Sequence, residues 1–194
     1  MKIFLSVLLL IYSFQFSTKA DDIYEFEIEG ISIGDSLLNY FTREEILREI
    51  ENNKYIYNYL TDEFGEVYMY DGLLKYFMIS FRVKPKDKNF IIYGITGTMP
   101  HTENINECHN QMEEISTEFS TLFEDFTKEE DYYNHPIDKS GKSKVKEIAF
   151  ILNSNNEARI VCMDFEETLR TKNNWIDGLD ITLQTNEVTK WYRN

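Results

Sequence analysis

Residues 104–126 set Ile105, Cys108, Met112, Ile115, Phe119, Leu122 and Phe126 three or four positions apart. That is the spacing of one face of an α-helix. Such a stripe needs a cover. Seven buried side chains at roughly 1.5–3 kcal/mol each are ample to dock the helix on a sheet, and they demand an apolar sheet face of matching length. Cys108 lies on the stripe, where a partner beneath it is plausible.

The rest of the chain supplies strands. Tyr24, Phe26 and Ile28 alternate with Glu25, Glu27 and Glu29, the period of a strand with one buried face. Gly30 and Gly34 break the pattern, Asp35 is placed to cap, and Leu37, Leu38 and Phe41 form a short helical stripe. Thr42 with Glu45 makes a capping box for a helix carrying Ile46, Leu47 and Ile50. Three strands follow at 66–70, 75–83 and 89–99, with Asp71-Gly72 as a hairpin signal between the first two. Residues 128–144 are polar, contain Pro136 and Gly141, and read as a long exposed loop. A hairpin is expected from 145–153 and 158–165, then a strand at 179–185 and a short terminal helix with Val188 and Trp191.

The expected class is therefore α+β, an antiparallel sheet of six to seven strands with helices packed on one face. Residues 28–34 (Ile-Glu-Gly-Ile-Ser-Ile-Gly) and 92–98 (Ile-Tyr-Gly-Ile-Thr-Gly-Thr) resemble each other. They raise the idea of a duplicated helix-plus-meander unit, with halves 21–88 and 89–194 inside one domain spanning 21–194.

At the start, Lys2 precedes the apolar run Ile3–Phe14, and Thr18 and Ala20 stand at the two positions a signal peptidase reads. Residues 1–20 are thus expected to be a secretory signal peptide cleaved after Ala20. No later run approaches the roughly 20 apolar residues of a spanning helix, so no transmembrane segment is expected after cleavage. Loss of the leader removes Lys2 and Lys19 and no acid, taking the formal charge from −14 to −16. A surface this negative repels phosphate backbones, which argues against nucleic acid and anionic lipid. In an oxidising compartment the only two cysteines, Cys108 and Cys162, are expected to form a disulfide. The other reading is two buried thiols acting as small apolar residues. No Asn-x-Ser/Thr acceptor occurs despite abundant asparagine. The expected location is the bacterial periplasm, or the extracellular medium.

Gly34-Asp35-Ser36-Leu37 spells the nucleophile block of the GDSL hydrolases. A serine hydroxyl needs a general base and an oxyanion donor. The last histidine is His135, in mid-chain, and neither the Asp-x-x-His pair nor a Gly-x-Asn-Asp block is present. Ser36 is read as the start of a helix, with a serine esterase as the alternative. His101, Glu103, Glu107, Cys108 and His109 bring three metal-ligand types together, but their spacing fits no standard zinc pattern. The acidic stretches 61–66 and 124–131 lack the spacing of a calcium loop. Lys139, Lys142, Lys144 and Lys146 read as relief of an acidic surface. No catalytic, cofactor or metal set is assigned. Tyr132, Tyr133, Trp175 and Trp191, aromatic residues in polar surroundings, are the candidates for an exposed binding patch.

Phe26–Phe41, Ile92–Met99 and Asn106–Ile115 together resemble a group of uncharacterised secreted proteins of Pelagibacter-like marine bacteria. The resemblance implies a compartment, and both cysteines as part of the common pattern, but no mechanism. At fold level, Gly30–Ser36 running into a helix and a three-stranded meander looks like BamE or β-lactamase-inhibitor envelope domains. The expected protein is a non-enzymatic binding or envelope interaction protein, whose partner is an unknown protein or small molecule. A small-ligand carrier, with aromatic residues lining a pocket instead of filling the core, is a further alternative.

Overall fold

The computed structural model describes Ala20, residues 22–54 and residues 61–193. Apart from Ala20, the expected leader lies outside the described residues. The elements in chain order are β1 (Glu27–Ile28), β2 (Ile31–Ser32), α1 (Arg43–Asn53), β3 (Gly65–Met69), β4 (Met78–Val83), β5 (Ile92–Pro100), α2 (Ile105–Leu122), β6 (Phe126–Asn134), β7 (Lys144–Leu152), β8 (Glu157–Asp164), α3 (Glu167–Asn173), β9 (Gly178–Gln184) and α4 (Asn186–Arg193). Seven strands form one sheet in the order β3-β4-β5-β9-β8-β7-β6, every neighbouring pair antiparallel. This is the α+β architecture expected from the sequence.

Strict alternation gives the sheet two unlike faces. Ile79, Phe81 and Val83 of β4, Leu179, Ile181 and Leu183 of β9, and Ala158, Ile160 and Cys162 of β8 belong to the main apolar core. The residues between them, such as Ser80, Arg82, Asp180, Thr182 and Arg159, are polar. Helices α1 and α2 cover the apolar face. Thr42 caps α1 through the expected box with Glu45, and Ile46 is fully buried. From α2, Cys108, Met112 and Phe119 enter the core, and Cys108 is joined to Cys162 of β8 across a Cα separation of 6.0 Å. The bridge fastens the middle of the sheet to its longest helix.

Several local expectations are corrected. The alternating strand near the start is instead a 3₁₀ turn (Ile23–Glu25) followed by the β1–β2 hairpin, because the Asp22 carboxylate accepts from the Ile23 amide. Glu29 and Gly30 then take left-handed φ values of 53° and 76°, which reverse the chain tightly. Residues 28–34 thus run through the β1–β2 hairpin and the turn after it, while 92–98 lie within the single strand β5, so the two similar stretches have different conformations. Asp35 accepts from the Ser32 amide, and the cap of the following 3₁₀ turn is Ser36 itself. Between β3 and β4 the chain makes a longer loop, residues 70–77, than the Asp71-Gly72 signal implies.

Helix α2 ends at Leu122, before Phe126. Its last turn has no basic residue, and continuing would set Glu124 and Asp125 against the negative end of the helix dipole. Phe126 still reaches the core, its ring 5.1 Å from that of Phe150, as the first residue of β6. The first part of the expected exposed loop, residues 128–134, belongs instead to β6, paired with β7 over its whole length. Its sequence shows no alternation because almost every residue is exposed, and its charges guard a sheet edge. Helix α3 went unread because none of its residues is buried.

The disulfide closes a loop of 54 residues, worth about 4 kcal/mol in the chain-entropy model. A Cys108→Ser/Cys162→Ser double variant should lose about 2–4 kcal/mol of unfolding free energy in urea titrations. An unchanged midpoint would show that the bridge adds nothing to the packing of α2.

Candidate functional site

The sequence-level candidates scatter. The Ser36 hydroxyl donates to the Asn89 carbonyl at 2.6 Å and accepts from the Leu38 amide, so it ties the capped turn to the loop before β5. Of the histidines, His101 bonds Gln111, His109 sits within α2, and His135 packs against Phe165 and Trp175. Cys108 is taken by the disulfide. Among the described residues no three His, Cys, Asp or Glu side chains gather as metal ligands would. Trp191, read as exposed, is instead buried, with its indole N–H donating to the Thr61 carbonyl. Its ring joins Phe64 and Val188 in a small second core, where Val188–Trp191 spacing on α4 hides it. Tyr132 is solvent-exposed on the outer strand β6.

Tyr133 and Trp175 line different compartments of one cleft on the polar face of the sheet that α1 and α2 leave uncovered. The cleft has two adjoining compartments, of about 420 and 780 Å³, which share Tyr68, Met78, Thr98, His135, Pro136, Met163 and Asp180.

The smaller compartment is floored by a hydrogen-bonded network. Arg82 of β4 pairs with Glu66 of β3 at 2.8 Å, donates to Ser80 and Thr96 hydroxyls, and donates through Nε to the Tyr192 hydroxyl of α4. Thr96 in turn bonds Thr182 across β5 and β9, and the Tyr68 hydroxyl donates to Glu66. Glu66, Ser80, Arg82 and Thr96 are all buried. A buried guanidinium is tolerated only when its charge and donors are satisfied in this way. Farther along the sheet, Arg159 pairs with Glu147, whose carboxylate also accepts from Tyr133.

The larger compartment is walled by aromatic side chains from two directions. On one side Tyr68 and Tyr70 stack nearly parallel, and Tyr70 meets Phe77 edge-on, both pairs with centroids 6.3 Å apart. Loop 70–77 that carries them is fixed by Glu29, which accepts from the Leu74 and Lys75 amides. It is also fixed by Tyr76, which lies flat on Gly97, where a Cβ would stand 2.5 Å from the ring. On the other side Phe165 and Trp175 are 4.8 Å apart, with His135 against both. Two carboxylates hold this wall. Asp138 accepts from the Ser140, Lys142 and Ser143 amides, and Asp177 accepts from the Phe165 amide. Asn174, left-handed at φ 52°, ends α3 and turns the chain toward Trp175.

Asp180 of β9 sits between the walls. Its carboxylate accepts from the Thr98 hydroxyl at 2.6 Å. Enclosure by protein raises its carboxyl to about 6, against the smaller opposing pull of the Thr98 bond and of Arg82. Burial also lowers His135 below the ordinary histidine value, favouring the neutral ring. Hydrogen bonds from Ser140 and Ser143 hold Asp138 far below the usual carboxylate range. The arrangement is a recess with aromatic sides, an apolar floor at Met78 and Met163, and one acid at its base.

Ser80, Arg82, Thr96, Thr98, Asp180 and Thr182 were missed at the sequence level, although the signal was there. Each is the polar member of an alternating strand whose apolar members are buried, and a run of them across adjacent strands marks a second, polar face. Compared with known proteins, the chain matches no family model, no curated protein sequence and no solved structure. Among the described residues no helix is long and apolar enough to cross a membrane.

Asp180 makes a pH prediction. Because its folded value is raised toward 6, the folded state holds a proton that the unfolded state releases near pH 3.9. Stability from this group is therefore greatest in acid and declines as pH rises from about 4 to about 6. Asp180→Asn keeps the acceptor for Thr98 and should stabilise the protein at pH 7.5 by up to about 3 kcal/mol, an upper bound because the residue retains some solvent contact. At pH 4 the variant should match the wild type in thermal unfolding. Equal stability at both pH values would show that Asp180 ionises freely.

Proposed function

We propose that this is an exported, non-enzymatic binding protein that seats a small molecule in the cleft on the polar face of its sheet. The observation that carries the reading is the pair of facing aromatic walls. Tyr70 and Phe77 remain 57 and 48% exposed although they line a recess of about 780 Å³. Folding alone gives no reason to hold several large rings half in water around a hollow, and the volume falls in the range of small-molecule sites. The walls stand on the sheet and are held by carboxylate bonds to main-chain amides, so the shape is largely preformed.

The disulfide supports an oxidising compartment, in keeping with the leader read from residues 1–20 and with a periplasmic or extracellular location. The likeness to secreted Pelagibacter-like proteins and to envelope domains points the same way. An esterase using Ser36 has less support, because that hydroxyl is engaged in its cap and belongs to the turn before α1, not to the cleft.

A screen of small aromatic and amphipathic compounds by two-dimensional NMR tests the reading. Hits should shift the Trp175 indole and the Met78 and Met163 methyl signals. Met163→Trp, which fills the recess, should weaken those hits by about tenfold or more. Hits confined to other surfaces, or hits that ignore the filled cleft, would overturn it.

A further inference from the structure

We propose that the cleft recognises an organic cation, a substituted ammonium whose charged head lies at Asp180 and whose carbon substituents lie between the two aromatic walls. This rests on the cleft being the ligand site and adds what chemistry it selects.

The charge inventory points to it. Among the described residues lining the larger compartment, Asp180 is the only carboxylate, and no lysine or arginine is present. Its one side-chain partner among the described residues is the uncharged Thr98 hydroxyl. Arg82, the nearest guanidinium on that face, is committed to Glu66, Ser80, Thr96 and Tyr192. Arg159 pairs with Glu147 through one terminal nitrogen while its buried Nε has no partner among the described residues, and it lines the smaller compartment, not the larger. Both basic groups of the sheet face thus have acid partners, and Asp180 lacks one.

A carboxylate withdrawn from water without a counter-ion is unfavourable, and a ligand that brings a positive charge relieves the strain. An anion in the larger compartment would meet Asp180 with no lysine or arginine among its described lining residues to offset the repulsion. A neutral apolar molecule would strip the remaining water from the acid and return nothing.

The walls select the same class. Tyr, Trp and Phe rings attract cations over their faces, and weakly hydrated alkylammonium heads gain most from such contacts. Tyr68, Tyr70 and Phe77 on one side and Phe165 and Trp175 on the other supply them around the acid. The formal charge of −14 over the whole chain also concentrates cations near the surface.

The test compares (4-hydroxybenzyl)trimethylammonium with its neutral carbon isostere 4-neopentylphenol by NMR titration of the wild type, Asp180→Asn and Tyr70→Leu. The wild type should bind the cation about tenfold or more tighter than the isostere, with shifts centred on the Trp175 indole. Asp180→Asn should bring the two affinities together, and its spectrum away from the cleft verifies folding. Tyr70→Leu, at the exposed rim where folding is not at risk, should weaken the cation more than the isostere. If the isostere binds the cleft as tightly as the cation, or the preference survives Asp180→Asn, the cation inference fails and the binding cleft stands. If neither compound shifts cleft signals at millimolar concentration, both readings fail.

Discussion

One ion pair conditions everything on the uncovered face of the sheet. Arg82 and Glu66 meet at 2.8 Å with both side chains nearly excluded from water. Neither charge could be held there alone. Satisfying the guanidinium recruits Ser80, Thr96 and Tyr192, and through Thr96 it reaches Thr182. Polar side chains from four adjacent strands and from the last helix are thereby locked together. Helices α1 and α2 lie on the opposite face, and α4 meets the network through Tyr192. The apolar face can be closed by α1 and α2, but this one must remain polar and concave.

The cleft follows from that division. Three rim segments, the loop 70–77, the turn 135–143 and the chain after α3, are each fastened by a carboxylate, and loop 70–77 is also anchored where Leu73 and Tyr76 pack against the core. Glu29, Asp138 and Asp177 each accept main-chain N–H groups and fix one part of the rim. The aromatic side chains carried there consequently face one another across Met78 and Met163. Of the two acids among the described residues lining the compartments, Glu147 is paired with Arg159 and Asp180 has no basic partner, and Asp180 stands where the two compartments join.

Much of this fold was legible from patterns that concern the core. The capping box at Thr42 and Glu45 reports the unpaired amides of a helix start, and the stripe on α2 reports its side chains' need for apolar neighbours. The elements that escaped have no such need. Strand β6 is exposed along most of its length, and α3 buries nothing. Trp191 was misjudged for the opposite reason. Its neighbours in sequence are polar, yet Phe64, more than a hundred residues earlier, supplies its apolar contact at 5.6 Å. Of the cleft's rings, Tyr133 and Trp175 were visible as large rings in polar surroundings. Placing Tyr68, Tyr70 and Phe77 beside Asp180 required knowing that β3 and β9 belong to one sheet, separated only by β4 and β5.

The central claim is that a sheet face lined by aromatic rings and one unpaired acid is open to solvent in the free protein. Hydroxyl-radical footprinting of the disulfide-bonded protein, read residue by residue by mass spectrometry, measures that directly. Tyr70, Phe77, Met78, Met163 and Trp175 should be oxidised readily, while Phe81, Phe150 and Trp191 stay protected. Protection of the first group to the level of the second would mean that the face is covered, and the account of a ligand cleft would be wrong.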